Sequence, residues 1–98
     1  GDVGLGVPFN IASYSFLTHL LAHHCGLKAH EFLYYLGNSH IYDDHYDALR
    51  KQIELEPFES PSLQITCDIK DNIEDYQVKD FKLNNYKSHA TIKMAMRA

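Results

Sequence analysis

Residues 11–25 carry apolar side chains on almost every side of a helix. Ile11, Ala12, Tyr14, Phe16, Leu17, Leu20, Leu21, Ala22 and Cys25 leave no continuous polar stripe at about 3.6 residues per turn. A helix without a solvent face has to be covered on several sides, so the run predicts a long, buried, central helix. Asn10 stands where an N-cap belongs, Pro8 fixes the approach to it, and Gly26 supplies the stop. A chain of 98 residues forms one folding unit but has little left with which to build the covering layers. More chain, or a second subunit, is expected around the helix.

Composition narrows the function classes. Hydrophobic residues at 45% and charged residues at 22% describe a folded soluble segment. The net charge is −4 and the nine basic residues are scattered, which argues against a nucleic-acid groove. An anionic ligand would need basic groups placed locally. Cys25 and Cys67 fit no CxxC or zinc spacing and read as reduced thiols of a cytoplasmic protein. The apolar run is broken by His19, His23 and His24 before it could span a bilayer, and no basic-then-apolar leader precedes it. His19 and His23, four apart, make at most half a metal site; with no third ligand at suitable spacing they read as packed helical histidines, and no metal is expected.

Ahead of the helix runs GDVGLGVPFN, residues 1–10. Gly1, Gly4 and Gly6 allow either a sharp turn or close approach of backbone to a ligand. Their order is GxxGxG and no strand precedes them, so this is not the GxGxxG dinucleotide fingerprint. A chain that opens at Gly1 inside such a stretch is expected to be a fragment.

Downstream, EFLYYL at residues 31–36 reads as a strand ended by Gly37 and Asn38. His40 and Tyr42, two apart, point to one side of an extended chain. They make either a pair converging on one ligand group or a polar strand edge. Asp44 caps a second helix to about Leu55, striped by Tyr46, Leu49 and Ile53 and ended by Pro57. Leu63, Ile65 and Cys67 alternate as a strand, residues 68–75 form an acidic solvated loop without calcium-loop order, and Ile73 to Tyr76 make one helical turn. Val78, Phe81 and Leu83 mark another strand, Asn84 and Asn85 a turn, and Ile92, Met94 and Met96 an amphipathic last strand.

Taken together, GDVGLGVPFNIASYS at residues 1–15, the GLK turn at residues 26–28, LGNSHIYDDH at residues 36–45, the DF and NY pairs at Asp80, Phe81, Asn85 and Tyr86, and TIKMAM at residues 91–96 resemble the C-terminal part of the thymidylate synthases. The resemblance runs over residues 1–98. It implies an α+β fold of the thymidylate synthase/deoxycytidylate hydroxymethylase kind, with a long buried central helix packed on a mixed β-sheet, incomplete in this fragment. It implies reductive methylation of deoxyuridylate (dUMP) with 5,10-methylenetetrahydrofolate as co-substrate, in a cytoplasmic homodimer.

By the same resemblance the nucleophilic cysteine and the phosphate-clamping arginines lie upstream, so neither Cys25 nor Cys67 is the nucleophile and the piece alone is expected to be inactive. Gly1 and Asp2 match positions where backbone meets the pyrimidine, and Asn10 matches the amide on the uracil edge. His40 and Tyr42, with Ile41 between them, match the residues at the deoxyribose hydroxyl. On the folate side the matches are Asp2, which reads the pterin, with Leu5, Gly6 and Phe9, and the closing tail Met96, Arg97 and Ala98.

An alternative is a dCMP/dUMP hydroxymethylase-like enzyme, against which Asn10 argues: an amide offers a donor and an acceptor side by side, whereas the hydroxymethylases have Asp at the matching position. Departures from the family pattern are Arg97 in place of alanine, Asp44 in place of asparagine, and Asn38 with Ser39 in place of Asp-Ala. The departures at Arg97 and Asp44 are the support for a different reading, a non-catalytic remnant or interaction module.

Overall fold

The structure is a computed structural model that describes residues 1–96. Its first element, α1, spans Gly6–His24. The helix therefore starts a turn earlier than the sequence predicts, and Asn10 lies inside it rather than at its cap. Two facts account for the difference. Pro8 is the third helical residue, within the first turn, where a missing N–H costs no intrahelical bond. The backbone carbonyl of Asp2 accepts from Gly6 N at 3.0 Å and Val7 N at 2.8 Å, so the glycine loop itself winds into the first turn.

The other end is as expected. Gly26 takes φ +69°, open to glycine at little cost, with Gly26 N donating to the His23 carbonyl and Leu27 N to the Ala22 carbonyl. That pair of bonds is a Schellman stop.

The apolar circumference of α1 is largely uncovered in this chain: Val7 is its buried residue, while Phe9 is 72% exposed and Tyr14 53%. One flank is covered. Phe16 packs on Phe81 with ring centroids 4.5 Å apart, and Tyr76 stands edge-on to His23 and His24.

Phe81 opens β2 (Phe81–Asn84), which pairs antiparallel with β1 (Ser62–Ile65). The register sets Leu63 opposite Leu83 and Ile65 opposite Phe81, so the period of two gathers one apolar face toward α1. Gln64 and Lys82 fall on the other face. Among the described residues the sheet has these two antiparallel strands, not the mixed sheet that the sequence implies.

The strand expected at residues 31–36 and the one expected at residues 92–96 form no regular element and have no ladder partners among the described residues. Aromatic and alternating patterns favour strands, but a strand exists only where a neighbour supplies the hydrogen bonds. Between β1 and β2, Ile73–Asp75 forms the expected helical turn, and Val78–Asp80 forms another where a strand was expected to begin. The second helix, α2, runs Tyr46–Ile53 behind a 3-10 turn at Asp43–His45.

Candidate functional site

The glycine loop is fixed by Asp2. Its Oδ1 accepts from Gly4 N at 3.1 Å, while its carbonyl starts α1. The same segment pairs in parallel with the chain at His40: His40 N donates to the Gly1 carbonyl at 3.0 Å and Val3 N to the His40 carbonyl at 2.9 Å. The Gly1 nitrogen also donates to the Asn38 carbonyl. Two stretches far apart in sequence are thereby laid side by side, Asp2 against His40.

His40 and Tyr42 then stand together, their rings 5.0 Å apart and edge to face. The two-residue spacing does bring them to one side. Tyr42 in turn meets the ring of His45 at 5.6 Å, again edge-on. Ile41, between the pair, is 39% exposed.

His45 is the functional candidate that sequence reasoning missed. It has no solvent exposure, and its Nε2 lies 2.6 Å from the Ala95 carbonyl. Gly4 is packed against it so closely that a Cβ there would fall 2.6 Å from Nδ1. The one signal in the sequence is position: His45 closes the LGNSHIYDDH stretch, three residues after Tyr42.

Of the residues expected to face folate, Leu5 lines a cavity of about 500 Å³ with Pro8, Leu55, Pro57, Ile92 and Met94. Phe9 and Met96 present exposed apolar surface. Gly6 sits directly over Asp2, since a Cβ on it would come 3.3 Å from the Asp2 Cβ. Asn10 is exposed on α1, and among the described residues no hydrogen bond or ring contact joins it to His40 or Tyr42. Arg97 and Ala98 lie outside the described residues.

The arrangement offers one carboxylate, an imidazole and phenol pair, and an apolar shelf. Oδ1 of Asp2 is engaged by Gly4, which leaves Oδ2 to accept from a ligand. None of the described site residues is Lys or Arg, so a phosphate would need cations from elsewhere. Among the described residues no group of three or more His, Cys, Asp or Glu could hold a metal ion. Nor is any helix there long and apolar enough to cross a membrane.

Of the two thiols, Cys25 lies far from this loop. Cys25 caps the far end of a 19-residue helix, and at about 1.5 Å per residue such a helix is roughly 28 Å long. Cys67 follows β1.

Comparison with known proteins identifies the family of the chain. The thymidylate synthase family model matches residues 1–98. The chain is 48% identical over 97 residues to a bifunctional dihydrofolate reductase-thymidylate synthase of Plasmodium berghei, covering 99% of this chain and 16% of that protein. To the protein of the same name from Plasmodium chabaudi it is 46% identical over 97 residues, with the same coverage. A Schizosaccharomyces pombe protein named "Probable thymidylate synthase" is 50% identical over 97 residues, covering 97% of this chain and 16% of that protein. The chain thus spans about a sixth of the length of these curated relatives.

Proposed function

The chain belongs to the thymidylate synthase family, and from that premise we propose that residues 1–98 are the C-terminal part of a single thymidylate synthase domain. The complete protein converts dUMP to thymidylate, taking a one-carbon unit and a hydride from 5,10-methylenetetrahydrofolate and releasing dihydrofolate. The observation that carries this reading is the parallel pairing of Asp2 with His40. It joins the folate-reading carboxylate to the residues assigned to the deoxyribose, so one short ladder aligns both ligands.

In this reading the imidazole of His40 and the phenol of Tyr42 hold the deoxyribose hydroxyl, with Ile41 between them and the backbone of Gly1 and Asp2 against the pyrimidine. Asn10 presents its amide to the uracil edge, where donor and acceptor alternate. Oδ2 of Asp2 accepts from the pterin, and Leu5, Gly6 and Phe9 form its apolar floor. Met96, Arg97 and Ala98 close over both ligands and exclude water. Held in this way, the two reacting carbons meet in register, which accounts for much of the acceleration such a site can give.

The nucleophile and the phosphate-binding arginines come from upstream chain. The distance of Cys25 from the glycine loop supports that assignment. In the complete domain further layers cover α1, making it the long buried central helix on a mixed sheet. The parent is a cytoplasmic homodimer; the unpaired thiols Cys25 and Cys67 suit a reducing compartment.

The test is the full-length protein with dUMP and methylenetetrahydrofolate, expected to give thymidylate and dihydrofolate in equal amounts. A hydroxymethylated pyrimidine instead, or no product with the upstream cysteine intact, overturns the proposal. Asn10→Asp should lower kcat/KM for dUMP about 100-fold or more, because a carboxylate cannot donate where the amide does.

A further inference from the structure

The contacts of His45 join three parts of the proposed site, and none of the roles above uses them. The Ala95 carbonyl can only accept, so the Nε2 that lies 2.6 Å from it carries the proton. On the other side of the ring Nδ1 faces Gly4, has no hydrogen-bond partner, and lies 3.9 Å from Oδ1 of Asp2. The Asp44 carboxylate is 3.9 Å from Nε2. Met94 completes the enclosure: its sulfur would lie 3.3 Å from a Cβ on Gly4. The ring edge meets Tyr42, which meets His40. In a chain most of whose side chains are exposed, this imidazole is fully buried.

We propose that His45 is a positioning residue that fastens the C-terminal segment, at Ala95, to the glycine loop, at Gly4, directly behind Tyr42. Resting on the reading above, it assigns His45 no contact with either ligand. Its effect reaches the reaction through the backbone it holds: Ala95 immediately precedes Met96, assigned above to the folate side of the site. Gly4 is glycine because the imidazole occupies the space of a side chain.

The experiment uses the full-length enzyme. Thymidylate formation by the unaltered protein tests the functional reading, and the His45 variants test the proposal. His45→Leu and His45→Phe fill the space without a donor; each is expected to raise KM for the folate about tenfold and lower kcat, the order of effect of one lost buried hydrogen bond. The dissociation constant for dUMP alone should stay within about threefold, since the tail is not needed for that complex. His45→Gln, which keeps an N–H near the Nε2 position, should restore most of the folate KM. Equal behaviour of the Leu and Gln variants, or a parallel rise in both ligands' constants, overturns the proposal. Should the apolar variants fail to fold, nitrogen NMR of histidine-labelled unaltered enzyme decides: an Nε2–H hydrogen-bonded tautomer at His45 is expected, and an Nδ1–H tautomer overturns the latch.

Discussion

Asp80 is a carboxylate only 7% exposed, and its partners make that tolerable. Oδ2 accepts from Lys70 Nζ at 2.7 Å and from Gln77 N at 2.8 Å, so the hydrogen bond from Lys70, then the Gln77 backbone, hold its pKa below the ordinary 3.8. The same bond to Asp80 raises Lys70 above its ordinary 10.5. A lowered acid contributes stability above its unfolded value, and that stability is lost as pH falls through the folded value; a raised base contributes below 10.5, lost as pH rises through the folded value. Asp80→Asn should therefore lower the urea midpoint of the full-length protein near neutral pH. The gap to the unaltered protein should close below pH 3.8. A gap unchanged at acid pH would mean that the pair is not what the substitution removes. Sequence reading recognised residues 68–75 as an acidic loop but not this pair, because closing β1 on β2 is what brings Lys70 and Asp80 together. His45 escaped for the same reason, since its neighbours Gly4 and Ala95 are distant in sequence.

At the scale of elements, what was legible was whatever short-range geometry decides. The apolar run did become a helix, Gly26 did stop it, and the Tyr46, Leu49 and Ile53 stripe did become α2. The start of α1 was not legible because it depends on Asp2 folding back onto Gly6 and Val7, while an amide followed by an apolar run looks like a cap wherever it stands. EFLYYL and TIKMAM show the limit for strands: side-chain alternation is local, and the ladder that makes it a strand is not. The stop at Gly26 gives a sharp expectation. Gly26→Ala should destabilise the full-length protein by about 1 kcal/mol, because a Cβ at φ +69° meets its own backbone while nothing else lies within 4 Å to compensate. Equilibrium denaturation measures it. No change would mean that α1 ends elsewhere in the assembled protein.

For the whole molecule, dimensions and surface tell one story. The radius of gyration is 16.3 Å, against about 13 Å for a compact domain of similar length. Both helices present apolar side chains to solvent, with Phe9 72% exposed on α1 and Ile53 80% on α2, and Tyr35, between the helices, reaches 87%. Hydrophobic burial is the main term that offsets the loss of conformational freedom, and here much of it has not been realised. The candidate site shares that incompleteness: among its described residues it has a carboxylate, an imidazole and a phenol but neither Lys nor Arg. Apolar surface of this extent calls for a cover, and the curated relatives are about six times longer. Produced alone, residues 1–98 should show no cooperative melting as a monomer, should bind an apolar dye, and should associate as concentration rises. Calorimetry with sedimentation would check this. A sharp concentration-independent transition in a monomer would mean that these residues bury their own apolar surface, and α1 could then no longer be read as the central helix of a larger domain.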